Sequence, residues 1–377
     1  MSENVAANLQ AAEIERACTD LAASLAFLLG SGAFRIDEIM PADAPQCAVL
    51  SASGLRLRLY QDPAAAQGLE PLSIRLHVAP SDLPAAEARV CPGPDRLRLT
   101  WVAAPEAITV PKPPRELVLN RAADSDHWGL GRAGMHYRDL IPGRLGGALI
   151  ASEIRIPEGG PVPDYVHFHR VLFQIIYCKS GWVRVVYQDQ GEPFLLNEGD
   201  CVLQPPGIRH RVLEAAPGLE VIEFGCPAVH ATHAEHEIDL PNAGIDRNRR
   251  YQGQRFVRHL AAEAPWRALP GGHFEAQDFG IIEATQGLVG LRALRAMGGA
   301  IGGVPPELGL AHRDDIRFLY LLSGSATLIS GSQLGAGDAL VLGSGDSCVL
   351  PAGPDWRLHG EPGLRLLELS VQSVTGV

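Results

Sequence analysis

Two histidines separated by one residue, and a third that follows a tight turn, are the side chains of this 377-residue sequence best suited to chemistry. His167 and His169 lie in a run predicted as a strand, where alternation puts both imidazoles on one face. His210 follows the turn at 205–207, which reverses the chain and can aim the third imidazole back at the pair. Neutral imidazoles are common ligands of divalent metals. The spacing therefore predicts a mononuclear metal centre.

Gln174 begins the apolar run QIIYC five residues after the histidine pair. A glutamine offers a neutral carbonyl oxygen and no negative charge. If Gln174 joins three imidazoles around an ion, the +2 charge is left uncompensated, so we would expect weaker metal binding and a preference for a carboxylate, phenolate or enolate ligand. The alternative is that Gln174 stays off the metal and hydrogen-bonds a water on it.

These motifs resemble those of the cupin superfamily. The second cupin motif, Gly-(x)5-Pro-x-Gly-x-x-His, is matched position by position at Gly199, Pro205, Gly207 and His210. The resemblance implies a β-barrel that holds one divalent ion, often Fe(II), Mn(II), Ni(II) or Zn(II), through three histidines and a carboxylate, with Fe(II) favoured here. Carried over residue by residue, the metal ligands are His167, His169, Gln174 and His210. The wording of the segment also resembles uncharacterised bacterial cupins that carry glutamine at the acidic position.

Substrate contacts are sought among residues close to the motif in sequence. Arg184 and Arg209 are candidates because an arginine that faces the mouth of a barrel can clamp a substrate carboxylate. Arg211 shares this possibility, although surface solvation is the ordinary fate of such arginines. Tyr165 and Tyr187 are candidates for pocket walls or for ordinary strand aromatics.

A second histidine cluster and one cysteine have competing interpretations. His230, His233 and His236 are spaced three apart and would share a face if helical, which favours either a second metal site or a polar linker. Cys178 alternates with Gln174 and is predicted to point into the barrel as a small hydrophobic residue.

Three blocks of sequence recur in the same order, which indicates an internal duplication. The paired ranges are 135–160 with 274–299, 166–181 with 309–324, and 199–224 with 345–369. Each copy consists of short apolar runs separated by glycine and proline turns, which predicts a small β-barrel or sandwich. With both copies counted, the resemblance is to a bicupin and covers about residues 115–377.

The second copy has lost most of the metal ligands. Alignment on Gly345 places Leu310, His312, Arg317 and Trp356 at the four ligand positions. A second register, through the Gly-Asp pair at 337–338, would instead place Cys348 at the last histidine. In either register we expect no metal of the usual kind, and packing, dimerisation or ligand binding as the role of this copy.

The first 114 residues form a separate module in this interpretation. A helix is predicted over 10–30, followed by strands at 34–39, 46–51 and 54–60. This order resembles one βαβββ module of the vicinal-oxygen-chelate (glyoxalase-like) superfamily. Its first strand has no histidine and its last offers arginines, so the resemblance implies a structural module without a metal.

The predicted fold is therefore mainly β, with two tandem cupin barrels preceded by a small α+β module. The expected domains are a module at 1–114, a metal-binding barrel at 115–245 and a degenerate barrel at 246–377. The 41 glycines and 29 prolines favour such a turn-rich β protein over a helical bundle.

Composition excludes several function classes. The 32 Lys+Arg against 43 Asp+Glu give a net charge of −11, and no long basic run is present, so a nucleic-acid partner is not expected. No apolar stretch approaches the ~18 residues of a membrane span, and the first residues lack the pattern of a signal peptide. The seven cysteines are scattered, which indicates neither a disulfide framework nor a thiolate zinc site. We expect a cytoplasmic protein with no membrane partner.

Two classes of function fit these observations. The first is a metal-dependent enzyme, an Fe(II)-type dioxygenase acting on a small anionic aromatic or enolisable compound, or an isomerase or lyase that uses the same ligands. The second is a non-catalytic cupin that binds or senses a small molecule. The family resemblance also implies a homodimer.

Overall fold

The computed structural model describes residues 12–85, 89–103, 108–124, 127–298, 306–330, 339–353 and 355–372. The chain divides into two compact units, Met1–Ala107 and Ile108–Val377. The second unit contains both copies of the repeat and all the predicted metal ligands. The predicted domain boundaries at 114/115 and 245/246 stay predictions.

The first unit is an α+β module with two small sheets. Its strands are β1 (Ile14–Cys18), β2 (Arg35–Met40), β3 (Cys47–Ala52), β4 (Leu55–Gln61), β5 (Leu72–Val78), β6 (Val90–Pro92) and β7 (Leu97–Ala103), and its helices are α1 (Leu21–Gly30) and α2 (Pro63–Ala66). One sheet has the order β1-β4-β3-β2 with β1 parallel to β4, and the other has the order β5-β7-β6.

The predicted helix over 10–30 is wrong in its first half. Within its described residues, Ile14–Cys18 pair with β4 as a strand, because Ala17 and Cys18 are buried there and tertiary pairing overrides local helical spacing. The helix begins after Asp20, whose carboxylate accepts a hydrogen bond from the Ala23 amide at 3.1 Å. The three predicted strands are confirmed, each to within a residue or two of its ends.

The second unit consists of short strands. Up to residue 259 they are β8 (Val118–Asn120), β9 (Gly129–Leu130), β10 (His136–Asp139), β11 (Ile150–Ile156), β12 (Gly160–Pro161), β13 (His167–His169), β14 (Phe173–Ser180), β15 (Trp182–Tyr187), β16 (Phe194–Asn197), β17 (Cys201–Gln204), β18 (His210–Ala215), β19 (Leu219–Cys226), β20 (Thr232–Ala234), β21 (Arg250–Tyr251), β22 (Gln254–Arg255) and β23 (Val257–His259).

The remaining elements belong to the second copy of the repeat. They are β24 (Arg267–Ala268), β25 (Phe274–Asp278), α3 (Ile281–Ala284), β26 (Val289–Ala296), β27 (Glu307–Gly309), β28 (Ile316–Ser323), β29 (Ser325–Ile329), β30 (Ala339–Gly343), β31 (Ser347–Leu350), β32 (Arg357–Gly360) and β33 (Arg365–Val371). Of the helices in the described part of the chain, none has the length and apolar character needed to cross a membrane.

The two copies fold into barrels with matching strand orders. The first barrel has the sheets β23-β17-β14-β19-β11-β10-β9 and β16-β15-β18-β13-β20, and the second has β8-β31-β28-β33-β26-β25-β24 and β30-β29-β32-β27. The predicted duplication and the mainly β, two-barrel fold are confirmed. The barrels also exchange strands, since β8 pairs with β31 of the second barrel and β23 pairs with β17 of the first.

Apolar side chains explain why both barrels are stable. The outer faces of the two seven-stranded sheets pack against each other, and the Phe224 and Phe318 rings meet edge to face with centroids 5.5 Å apart. Each barrel has its own apolar interior, which includes Val185 and Val221 in the first barrel and Trp356 in the second. Burial of alternate residues fixes the register of each strand, and with it the direction of every side chain at the site.

Candidate metal centre

Three elements of the first barrel bring the predicted histidines together. His167 and His169 lie on β13, and His167 is the direct cross-strand partner of His210, the first residue of β18. The turn before β18 contains Gly207 at φ +76°, a conformation that glycine adopts without strain. The Gly207 amide donates to the carbonyl of His169 at 3.2 Å, which ties the turn to β13.

The three imidazoles converge in a buried cluster. Their ligand nitrogens all lie within 4.8 Å of one another. The ring centroids are 4.2 Å apart for His167 and His210, 5.1 Å for His167 and His169, and 5.3 Å for His169 and His210. All three side chains are almost completely excluded from solvent. This convergence is the geometry that three imidazoles need to share one ion.

Hydrogen bonds at the other ring nitrogens orient the histidines. The Nδ1 atom of His167 lies 2.8 Å from the Tyr165 carbonyl, and that of His210 lies 3.1 Å from the Ile208 carbonyl. The Nδ1 atom of His169 lies 3.2 Å from the Thr232 hydroxyl. A carbonyl can only accept, so Nδ1 carries the proton in His167 and His210 and the Nε2 lone pair is available to a metal.

Burial also keeps the histidines neutral. It lowers the pKa of His169 to about 3, with help from the neighbouring His167 and His230. Burial likewise lowers the pKa of His167 and of His210, and for His210 the neighbouring imidazoles add to the effect. Neutral, convergent and oriented imidazoles fit a divalent ion, because a ligand must be unprotonated to bind it.

Gln174 is held by a carboxylate that the sequence analysis did not identify. The Gln174 amide nitrogen donates to Glu223 on the adjacent strand β19, and both side chains line the same cavity as the histidines. The amide is thereby fixed, and its carbonyl oxygen remains free to accept or to ligate. Glu223 places a negative charge next to the position where the sequence lacks one. It is not among the groups whose ligand atoms cluster with the three histidines.

An arginine from outside the repeat motifs reaches the centre. The Arg132 guanidinium lies 3.0 Å from Nε2 of His167 and forms an ion pair with Asp164. Asp164 is fully buried and accepts backbone hydrogen bonds from Tyr165 and Val212, each at 2.9 Å. A guanidinium can only donate, so in this contact the lone pair of Nε2 accepts from Arg132. An ion could bind at Nε2 only if the Arg132 guanidinium moved away from that atom.

The histidines lie in the wall of a cavity of about 300 Å³ inside the first barrel. Beyond the polar groups at the centre, the walls are aliphatic, and they include Ile154, Ile176, Val183, Val185, Leu196 and Val221. A cavity with apolar walls and a few convergent polar groups is the usual form of a small-molecule site. It can take a molecule with one polar group at the histidines and an apolar body.

The arginines predicted as substrate contacts do not line this cavity. Arg184 pairs with Glu214 and its side chain is 45% exposed. Arg209 pairs with Glu235 and covers the ring of Phe168. Instead, the arginines that line the cavity are Arg132, which lies beside the histidines, and Arg211.

Tyr165, predicted as a substrate contact, instead contacts one of the histidines. The Tyr165 ring meets His167 edge to face at 5.8 Å, and its carbonyl orients that histidine. The side chain is 45% exposed, with Arg132 over the face of its ring.

The second histidine cluster does not form a site. Thr232–Ala234 is a strand, so the three side chains diverge: His230 lines the cavity, His233 stacks on Phe168 and His236 is exposed. The only cluster of metal-ligating side chains found among the described residues is the one on β13 and β18. Cys178 is fully buried in the barrel interior, as predicted, and burial raises the pKa of its thiol to about 12.

In the second barrel, the structure selects one of the two alignments left open by the sequence. Asp346 accepts the Gly343 amide as Asp200 accepts that of Asn197, and β31 pairs with β28 as β17 pairs with β14. Gly345 is therefore the counterpart of Gly199. The register that puts Cys348 at the last histidine is wrong, because Cys348 lies within β31.

Sequence reasoning missed two residues of the site for different reasons. Glu223 interrupts the apolar run EVIEFGC, and the repeat aligns it with Glu368, so a signal for it was present. Arg132 precedes the repeat and reaches the centre only through tertiary structure, so no local pattern marks it.

Comparison with solved structures supports the fold. Protein Ylba from E. coli matches with 15% identity over 73% of this chain and 96% of its own, with a TM-score of 0.50. An oxalate decarboxylase from Lactobacillus farciminis, in a formate complex, matches with 14% identity over 68% and 86% of the chains and a TM-score of 0.49. A putative glyoxylate-induced protein from Pseudomonas aeruginosa matches with 12% identity over 73% and 94% and a TM-score of 0.48.

At these sequence identities, the comparisons are evidence about the fold and not about the function. The strand orders and the repeat establish two tandem β-barrels, and the likeness to protein Ylba, at a TM-score of 0.50, agrees with this fold. No family model matches the sequence, and no curated protein matches it. Nothing in the comparisons supports the expected glyoxalase-like likeness of the first 114 residues.

Proposed function

We propose that this protein is a mononuclear divalent-metal enzyme of the oxygenase type, with Fe(II) as the favoured ion, acting on a small anionic aromatic or enolisable compound. The observation that carries the proposal is the convergence of three neutral, buried imidazoles, with their ligand nitrogens within 4.8 Å, in the wall of an apolar cavity. A bound ion would act as a Lewis acid that polarises substrate oxygens and lowers the pKa of a hydroxyl it contacts.

The protein's own groups define what the cavity can accept. His167, His169 and His210 supply no charge to offset the ion, so an anionic group on the substrate is favoured next to them. Arg132 lies beside His167 and is anchored by the buried Asp164, which suits it to hold that anionic group. The aliphatic walls exclude water around the remainder of the substrate, which strengthens each electrostatic contact at the centre.

The decisive experiment measures the metal content of protein purified without added metal. We expect near one equivalent of a single divalent ion, loss of turnover on chelation, and recovery with that ion. A His167→Ala/His210→Ala double variant should contain no metal and should be inactive. Full activity of that variant would show that the proposal is wrong.

A non-catalytic small-molecule binder is the second candidate. It is favoured by the neutral Gln174 at the acidic position and by Arg132, which already occupies the lone pair of His167. For this candidate, purified protein should contain no metal, and its melting temperature should not change when metal is added, since an ion that binds only the native state must stabilise it.

Isomerase or lyase chemistry would use the same ligands and remains an alternative within the enzyme class. The homodimer, the small anionic partner and the cytoplasmic location also remain predictions. Sedimentation of the purified protein would test the homodimer.

A further inference from the structure

A tyrosine and a glutamine form a buried polar pair in the cavity, next to the histidines. The Gln204 amide nitrogen donates to the Tyr187 hydroxyl at 2.7 Å. Both side chains line the cavity, and the exposed fractions of the residues are 2% for Tyr187 and 4% for Gln204. None of the sequence motifs and no part of the metal centre requires this pair.

The pair has hydrogen-bonding capacity that the protein leaves unused. The Gln204 carbonyl oxygen is buried, and within the described part of the protein it has no hydrogen-bond partner. The Tyr187 oxygen accepts from Gln204, so its own hydrogen is available to another acceptor. Burial raises the pKa of Tyr187, so this hydrogen is retained at neutral pH. A buried acceptor without a donor is unfavourable, and it points to a ligand that supplies one.

The position of the pair relates it to a ligand at the metal centre. Tyr187 is the cross-strand partner of His210, with their rings stacked and their centroids 5.7 Å apart. Gln204 is the cross-strand partner of Gln174. The pair therefore lies where the polar centre meets the aliphatic walls. A molecule that extends from the histidines into the cavity can therefore contact the pair.

The size of the cavity limits the molecule. An apolar cavity of about 150 Å³ can hold benzene. The volume of about 300 Å³ therefore gives room for one ring with substituents or for a short branched chain.

We infer that Tyr187 and Gln204 form a recognition site for a neutral hydroxyl group carried by the apolar body of the substrate. A hydroxyl accepts from Tyr187 and donates to Gln204 through one oxygen, whereas a carbonyl satisfies only the tyrosine and a hydrocarbon satisfies neither. This inference deepens the proposed function, since it names a second feature of the substrate of that same cavity. The substrate class is a hydroxylated, largely apolar molecule whose anionic group is separate from this hydroxyl.

Two probes of similar size test the inference, phenol and toluene. Their binding to the full-length protein is measured by calorimetry, as purified and again after chelation. An apolar cavity alone favours toluene, the more hydrophobic probe. We expect phenol to bind at least about tenfold more tightly than toluene in both preparations, because the buried pair is left unsatisfied by toluene.

Three variants assign the preference to the pair. Tyr187→Phe and Gln204→Met should each reduce the preference for phenol to about twofold or less, since each removes one of the two hydrogen bonds. Tyr137→Phe is the matched control, because Tyr137 also lines the cavity but its hydroxyl donates to the Met135 sulfur, at 3.7 Å, and not to the pair. It should keep the preference. Should Tyr187→Phe fail to fold, Gln204→Met decides the question.

Three outcomes would overturn the inference: no binding of either probe, equal or tighter binding of toluene by the wild-type protein, or a preference for phenol that survives in Gln204→Met. None of them bears on the metal, since the chelated protein is measured as well. Conversely, protein that contains no metal but prefers phenol would overturn the proposed function and leave this inference standing.

Discussion

The two barrels share a strand order but differ at the one place where the first could bind a metal. The second barrel has Leu310, His312, Arg317 and Trp356 at the positions of the first barrel's His167, His169, Gln174 and His210. In the first barrel the imidazoles border a cavity of about 300 Å³, and in the second the Trp356 side chain is buried within the interior. Both copies have the same strand order although these four residues differ, so the barrel fold does not require the ligand set.

One glutamate is common to both centres, and its partner differs. Glu223 accepts from the Gln174 amide in the first barrel, and Glu368 pairs with the Arg317 guanidinium at 2.9 Å in the second. Arg317 also binds Asp314 at 2.6 Å, and Arg292 pairs with Glu368, so two guanidinium groups balance the two carboxylates of the second centre. A guanidinium there offsets the charge that a divalent ion would otherwise offset. The second barrel therefore shows one way in which the same fold can be maintained without this ligand set.

Copying the second barrel into the first should have the largest effect. His210→Trp removes one of three ligands and fills the centre with an indole, so we expect the metal content to fall from near one equivalent to near zero. Elemental analysis of the purified variant measures this.

The reverse substitution is the control. Trp356→His should not create a metal site, because Leu310 and Arg317 still occupy two of the ligand positions. Metal retained by His210→Trp, or gained by Trp356→His, would contradict the equivalence of the two centres.

The structural role of the second centre can be measured as stability. Trp356 is 1% exposed and its indole nitrogen donates to the Pro351 carbonyl at 2.9 Å. Trp356→Ala should lower the free energy of unfolding by about 3–5 kcal/mol, because it leaves a cavity and an unpaired carbonyl. Urea denaturation of the chelated protein measures the loss.

Trp356→Ala should leave the metal content of the folded protein unchanged. His210→Ala, which enlarges a cavity already present, should cost less stability than Trp356→Ala. A larger loss for His210→Ala would reverse the assignment of roles to the two barrels.

The sequence predicted the fold of the barrels well because the relevant signals are local or repeated. The turn at 205–207 and the alternation in β13 placed three histidines correctly, and the duplication placed the second barrel. Partners from distant segments left no such signal. Arg132 reaches His167 across 35 residues, and Ile14–Cys18 form a strand only because β4 is beside them. Local periodicity cannot show such pairings, and tertiary context decides them.

Acid should destabilise the metal-free protein through the first centre. In the unfolded chain a histidine has a pKa near its ordinary value of about 6.5, whereas burial lowers that of His169 to about 3. Below pH 6.5 the unfolded chain therefore binds a proton that the native centre does not, and stability falls as the pH falls from 6.5 toward 3. Each such histidine costs about 1.4 kcal/mol per pH unit in this range.

Urea denaturation of chelated protein at pH 7, 6 and 5 measures this slope. His169→Asn should flatten it, whereas replacement of the exposed His236 by asparagine should not. An equal slope in wild-type protein and His169→Asn would show that the buried imidazoles do not govern the acid sensitivity.

A negative charge added at the first centre should stabilise the metal-bound protein and destabilise the metal-free protein. Gln174→Glu supplies the anionic ligand that the sequence lacks, so we expect metal affinity to rise about tenfold, or about 1.4 kcal/mol. Without metal the new carboxylate lies against Glu223, and the like charges should lower the melting temperature. Gln174→Met, which adds no charge, is the control and should not raise the affinity. Unchanged affinity in Gln174→Glu would place the side chain of residue 174 away from the ion.

The smallest expected effect concerns Arg132, the first barrel's counterpart in charge to Arg317. Its guanidinium donates to the lone pair of His167 at 3.0 Å and competes with an ion for that atom. Arg132→Met should therefore raise metal affinity about threefold, a change of less than 1 kcal/mol, and should weaken binding of benzoate to the metal-loaded protein. Arg184→Met, at a site 45% exposed and away from the cavity, should change neither. Weaker metal binding in Arg132→Met would mean that the arginine supports the ligand set more than it opposes the ion, because removing it would also release Asp164.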